Sequence, residues 1–234
     1  MSKPEHGAPL VSAAGIEKIY PGGSKVAALK GIDLNVARGE FTALAGPSGS
    51  GKSTLLNIIG TLDSPTKGAV RYEGRVVSGL DADAQADVRL RALGFVFQAY
   101  NLIPVLTAVE NVEYPLVMQG MDAGQRRKLA LAALREVSLD GYAHRRPDLL
   151  SGGQQQRVAV ARAIVHRPSL VLADEPTANL DSKTGAQLLD LMQGLNEEHG
   201  ITFLFSSHDA AVLERARRVV HLHDGELRAD EVRR

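Results

Sequence analysis

Eight consecutive residues, Gly46-Pro47-Ser48-Gly49-Ser50-Gly51-Lys52-Ser53, fit the pattern G-x-x-x-x-G-K-[ST]. The residue types follow from the chemistry of holding phosphate. Glycines let backbone N–H groups turn inward on phosphate oxygens, Lys52 brings a cation, and Ser53 offers a hydroxyl to Mg²⁺. Average residue usage puts the fixed positions together by chance in about one chain of this length in 100. The flanks agree: Phe41-Thr42-Ala43-Leu44-Ala45 reads as a buried strand, and Ser53-Thr54-Leu55-Leu56-Asn57-Ile58-Ile59 as the first turns of a helix. An anion would rest on that helix N-terminus, with Thr54 beside Ser53 as a further contact. A nucleoside triphosphate is the ligand this arrangement implies.

A second candidate is Leu170-Val171-Leu172-Ala173-Asp174-Glu175, an apolar strand ending in two carboxylates. Asp174 can hold Mg²⁺ directly or through water, and Glu175 can polarise an attacking water. A strand followed by an acidic helix cap, closed by Pro176, accounts for the same residues; the upstream phosphate loop favours the metal reading. A third is Leu150-Ser151-Gly152-Gly153-Gln154-Gln155-Gln156-Arg157, a small-residue turn opening a helix through Val165. Ser151, Gly152, Gly153 and Gln154 offer a second anion-binding N-terminus, although the segment taken alone reads better as a capped helix behind a flexible Gly-Gly turn.

The elements that must carry these groups can be traced from periodicity. Residues 10–20 and 26–36 read as strands joined by a loop at Pro21-Gly22-Gly23-Ser24, residues 69–72 and 75–77 as a hairpin through Glu73-Gly74, and residues 94–97 as a buried strand. Residues 107–138 turn helical, with a break at Gly120-Met121-Asp122 and Gly124. After Glu175 come a helix at 182–198, a strand at 201–205 and a short helix at 211–217. Strands alternating with helices imply a parallel sheet covered on both faces.

A chain of 234 residues with 44% apolar content supports one large α/β domain, or a core with an inserted subdomain. Lys+Arg and Asp+Glu balance at 27 each, which removes the electrostatic argument for a nucleic-acid binder. The absence of cysteine excludes disulfides, thiolate zinc sites and cysteine catalysis. Residues 1–9 lack the apolar core of a signal peptide, so the chain is expected to stay inside the cell. The longest uncharged run, residues 92–109, is interrupted by Gly94, Gln98, Asn101, Pro104 and Thr107 and makes a poor membrane span.

In this order, the segments 46–53, 150–154 and 170–175 resemble the ATP-binding subunit of an ABC transporter, and the resemblance covers nearly the whole chain. It implies an α/β, P-loop NTPase (RecA-like) core with a β subdomain and an inserted α-helical subdomain. Residues 10–98 and 158–234 would form the core with its β layer, and 99–157 the helical part with the Leu-Ser-Gly-Gly-Gln signature. The cofactors implied are ATP and Mg²⁺, the latter held by Ser53, Gln98 and Asp174, with Glu175 and His208 serving hydrolysis. Tyr20 is similar to the family's adenine-stacking aromatic, a position that a strand-end tyrosine packing on the sheet explains as well. Gln98 resembles the glutamine that senses Mg²⁺ and the attacking water, Asp181 the aspartate that communicates across a dimer, and His208 the switch histidine at the γ-phosphate. The partners implied are a second copy, whose Ser151 to Gln154 would complete each ATP site head-to-tail, and a separate transmembrane permease. A periplasmic adaptor or other export components would complete the assembly, with the chain peripheral on the cytoplasmic side of the inner membrane and no nucleic acid expected. The run Phe97-Gln98-Ala99-Tyr100-Asn101-Leu102-Ile103-Pro104 is similar to the branch serving lipoprotein release and macrolide or peptide export, though some amino-acid importers carry similar segments. An importer ATPase, an ATP-dependent regulator and a ribosome-associated ATPase of the same family are the alternatives.

Overall fold

The computed structural model describes residues 8–21 and 26–233, so most of the turn expected at Pro21 to Ser24 falls outside it. In chain order the elements are β1 (Val11–Tyr20), β2 (Val26–Val36), β3 (Phe41–Ala45), α1 (Lys52–Ile59), β4 (Lys67–Tyr72), β5 (Arg75–Val76), α2 (Ala82–Ala92) and β6 (Leu93–Val96). There follow α3 (Ala108–Met118), α4 (Ala123–Glu136), α5 (Gly152–Ile164), β7 (Leu170–Asp174), α6 (Ser182–His199), β8 (Thr202–Ser207), α7 (Ala210–Leu213), β9 (Arg218–His223) and β10 (Glu226–Val232). The chain divides into two compact units, residues 1–88 with 202–234, and residues 89–201.

In the first unit β3 is the central strand, with β8 and β9 parallel on its two sides and β10 antiparallel beyond β9. All residues of β3 and β8 are buried, which is why both read as unbroken apolar or small runs instead of alternating ones. The Phe41 ring packs 5.6 Å from Phe203 and 4.9 Å from Phe205. Ala45 is in register with Ser207 on one side and His221 on the other, so three strands end at the same sheet edge. A second, antiparallel sheet has the order β2-β1-β4-β5, and Tyr20 is the last residue of β1, opposite Val26. Arg218 joins β9 to its neighbours by donating to Glu40 Oε2 at 2.8 Å and to Asp230 Oδ2 at 2.7 Å.

In the second unit β6 and β7 run parallel, with Val96 opposite Ala173. Helix α5 packs against β6, α3, α4 and α6, and Val158, Ala159, Val160, Ala161 and Ala163 along it are buried. Helix α3 starts with a capping box: Thr107 accepts from the Glu110 N–H, and Glu110 accepts from the Thr107 N–H. The Thr107 hydrogen bonds hold the Glu110 carboxyl below its ordinary pKa. Buried Asn111 donates to Ile103 O, Leu106 O and Thr107 O, fixing the loop that leads into α3. Asp122 caps α4, so the expected break in the helical region falls where a capping residue can restart the helix.

The helix expected at 211–217 is shorter, ending at Leu213. Continuing it is incompatible with the sheet, because the Arg217 N–H donates to Phe41 O of β3. Periodicity predicts no element over residues 82–92 or 218–232, yet they form α2 and the β9–β10 hairpin.

His166, just after α5, sets a pH limit on the second unit. Its Nε2 lies 3.0 Å from Leu93 O, so this nitrogen carries the proton, and Nδ1 is buried without a hydrogen-bond partner. Burial lowers its pKa, opposed by the bond to Leu93. The unfolded chain therefore takes up a proton near pH 6.5 that the folded chain still refuses, and stability falls as pH drops below about 6.5. Urea denaturation at pH 7.5 and 5.5 should show this loss in the wild type and a smaller loss in His166→Asn.

Candidate functional site

The phosphate loop occupies the turn between β3 and α1, at the sheet edge where β8 and β9 also end. Gly46 has φ +153°, and a Cβ there would lie 2.2 Å from Leu222 O and 2.7 Å from Ser50 Oγ. Gly51 has φ +105°, and its Cβ would lie 2.8 Å from Ala28 O. Both glycines are required by left-handed backbone and by close backbone approach. Buried Lys52 folds back over the loop, with Nζ donating to Gly46 O at 2.7 Å and Pro47 O at 3.1 Å. Ser50 Oγ is buried without a hydrogen-bond partner, and Ser53 is exposed at the start of α1. A helix N-terminus, a lysine and an unsatisfied hydroxyl at one turn form a cradle suited to a polyphosphate.

His208 follows directly on β8 and is exposed, so the register of β3 with β8 brings it to the edge from which Gly46 leaves. Tyr20 stands at the end of β1, partly exposed, with its hydroxyl donating to Asp63 Oδ2 at 2.7 Å. Thr54, half-buried on α1, is a hydrogen-bonding neighbour of the same hydroxyl.

The second unit gathers the other candidates. β6 and β7 are parallel and in register, so exposed Gln98 and half-buried Asp174 and Glu175 emerge at one end of the pair. Asn179 Nδ2 donates to Gln98 O at 2.9 Å, joining the segments that follow the two strands. Glu175 adopts φ +45°, a left-handed conformation uncommon outside glycine and typical of positions where function fixes the backbone. Ser151 caps α5, accepting from the Gln154 N–H, while Gln154 Oε1 accepts from the Ser151 N–H at 2.9 Å. Asp181 caps α6 through the N–H groups of Lys183 and Thr184; hydrogen bonds from Thr184 hold its carboxyl below the ordinary range.

Two further residues, Gln156 and Arg162, join these parts. Gln156, fully buried on α5, donates to Pro176 O at 2.6 Å and to Phe97 O at 3.4 Å. Arg162 donates to Tyr100 O at 2.9 Å and Asn101 O at 2.5 Å, the carbonyls of two consecutive left-handed residues. Burial lowers the Arg162 pKa, as expected of a guanidinium spent on backbone instead of a carboxylate. A sequence signal was available for Arg162, a cation between buried Ala161 and Ala163, whereas Gln156 sits in the polar run Gln154 to Arg157 and gives none.

Residues 29–178 match the ABC transporter family, and the chain belongs to that family as an ATP-binding, ATP-hydrolysing subunit with the P-loop NTPase fold. Among its relatives is an ABC transporter ATP-binding protein of Methanocaldococcus jannaschii, 46% identical over 95% of this chain and 97% of the relative. The lipoprotein-releasing system ATP-binding protein LolD of Anaeromyxobacter dehalogenans is 50% identical over 95% of this chain and 94% of its own length. The macrolide export ATP-binding/permease protein MacB of Brucella melitensis is 46% identical, and this chain spans 35% of that longer protein. A solved ATP-binding cassette, a dimer in a post-hydrolysis state bound to ADP and Pi, superposes with TM-score 0.89 at 46% identity, covering 96% of this chain and 99% of that one.

Proposed function

We propose that two copies of this chain close head-to-tail on ATP and drive a separate membrane permease for export or extraction, of a lipoprotein or peptide. The observation that carries this reading is the pair of anion-ready helix starts, the loop of Lys52 and the capped turn of Ser151, on a chain half identical to LolD. In the phosphate loop, Lys52 holds the phosphates, the N–H groups from Gly46 to Thr54 cradle them, and Tyr20 takes the adenine. Asp174, Ser53 and Gln98 supply a carboxylate, a hydroxyl and an amide, a donor set that suits Mg²⁺ arriving with nucleotide phosphates and water. Glu175 takes the proton of the attacking water, and His208 holds the γ-phosphate. The signature turn, residues 151–154, serves the ATP of the other copy. Its capping box leaves the Ser151 hydroxyl hydrogen available, since the oxygen accepts from its own helix while the O–H can donate to phosphate. Asp181 carries the state of one site to the other.

No helix among the described residues is long and apolar enough to cross a membrane; on this reading the chain works from the cytoplasmic side of the membrane, against a permease. The helical segment 99–157 exposes Val105, Tyr114, Val117 and Met118, an apolar surface close in sequence to Gln98. A tagged chain should capture from solubilised membranes a permease that lacks its own ATPase domain. Val105→Glu, on that surface, should abolish that capture while leaving ATP binding intact; unchanged capture would rule the surface out as the permease contact.

A further inference from the structure

Tyr20 is held far more tightly than an exposed strand-end tyrosine requires. Its hydroxyl donates to Asp63 Oδ2 at 2.7 Å, and the Lys18 ammonium sits 4.7 Å from the ring centroid, over one face. Lys18 and Tyr20 are two apart on β1 and so project to the same side of the strand. Lys18 Nζ donates to Asp63 Oδ1 at 2.5 Å and to Ser64 O at 2.8 Å, and its side chain is only 12% exposed. The main chain joins in: the Ile19 N–H donates to Thr66 Oγ1 at 2.9 Å, and the Thr66 N–H to Glu17 O. The segment from Asp63 to Thr66 thus grips the end of β1 by both backbone and side chains, directly after the helix that the phosphate loop opens. Asp63 is held below the ordinary carboxylate range despite its partial burial, by the hydrogen bonds from Lys18 and Tyr20.

We infer that Lys18 and Asp63 are positioning residues for nucleotide-base recognition: they fix the tilt of the Tyr20 ring and cover one face, leaving the other for the purine. The inference rests on the reading that Tyr20 stacks on the base. Its physical basis is pre-organisation. A planar side chain free to rotate must be ordered by the ligand, whereas one fixed at its hydroxyl and one face is ordered before binding. Lys18 also excludes the base from the wrong face. A tyrosine that only stacked would tolerate phenylalanine, which presents the same ring; an anchored one would not.

The test compares affinity for Mg–ATP with affinity for Mg–tripolyphosphate, which has no base. Their ratio isolates base recognition, and tripolyphosphate affinity alone reports an intact fold and phosphate loop. Tyr20→Ala should lower the ratio about 3–10-fold, the range of a stacked aromatic pair. Tyr20→Phe and Asp63→Ala should each lower it by about half that factor or more on the same scale, with tripolyphosphate affinity unchanged. Asp63→Asn, which still accepts the phenol hydrogen, should recover most of the loss. The double variant Asp63→Ala/Tyr20→Ala should lose no more than Tyr20→Ala alone, because Asp63 acts only through the ring. An unchanged ratio in Asp63→Ala, losses that add in the double variant, or equal losses for both ligands would overturn the anchoring. An unchanged ratio in Tyr20→Ala would overturn the base-stacking reading itself, and the anchoring with it.

Discussion

Glu175→Gln should lower steady-state ATP hydrolysis by about 10²–10⁴-fold, the range removed with a general base, while ATP binding is kept. The substitution is close to isosteric, so the left-handed turn at φ +45° and the strand β7 that delivers it are preserved. What is lost is the carboxylate that accepts a proton from water. In the proposed cycle, where ATP drives closure and hydrolysis reverses it, the variant should also accumulate as an ATP-bound dimer on size-exclusion chromatography, at nucleotide concentrations where the wild type runs as a monomer. Hydrolysis at the wild-type rate would remove Glu175 as the base. Hydrolysis lost without dimer accumulation would separate the base from the closing cycle.

The second large effect concerns binding. Lys52→Ala should weaken ATP affinity by about 10²-fold, since charge-assisted hydrogen bonds contribute roughly 1.5–3 kcal/mol each. The change also frees Gly46 O and Pro47 O, which the ammonium holds at 2.7 and 3.1 Å. Arginine should not rescue: its planar fork is larger than the ammonium and cannot fold into the same loop. Titration of a fluorescent ATP analogue in the presence of Mg²⁺ measures the effect directly; affinity within about threefold of wild type would show that the backbone amides alone hold the phosphates.

Much of this architecture is legible in the residues because the physics is local. β3, β7 and β8 are buried on both faces and read as unbroken runs of apolar or small residues. Residues 46–53 are constrained almost position by position, and the glycines needed at 46 and 51 are the ones whose Cβ atoms would strike backbone carbonyls. Helix α2 was invisible for the opposite reason: none of its residues is buried, so it has no apolar stripe to give a 3.6-residue period. It rests on helix-forming residues and on Asp81, which accepts from the Ala84 N–H. The β9–β10 hairpin was missed because β10 has no buried residue and is rich in charge, as an edge strand tends to be. The end of α7 depended on a bond between Arg217 and Phe41, far apart in sequence, which no local pattern contains.

The candidate site divides along the same line. The phosphate loop, the strand-end carboxylates and the signature turn are contiguous strings with their own chemistry. Lys18, Asp63, Gln156 and Arg162 act through partners between 20 and 62 residues away, so what each of them holds is visible only in the folded structure. Their common feature is that each orients a group that the strings identify. Arg162 and Gln156 bind the segments after β6 and β7 to the helix that Ser151 opens, which places the second unit's candidate groups on one rigid frame.

The central claim is that each ATP is shared between two copies of the chain, and mixing two inactive variants tests it most directly. Lys52→Ala disables the phosphate loop, and Ser151→Arg blocks the signature turn; each variant alone should be inactive. In a head-to-tail dimer of the two, one site combines both defects and the other combines an intact loop with an intact signature. The mixture should recover about a quarter of wild-type hydrolysis, because half of randomly formed dimers carry one intact site of two. A mixture no more active than its separate components would contradict the shared site and return ATP hydrolysis to a single chain.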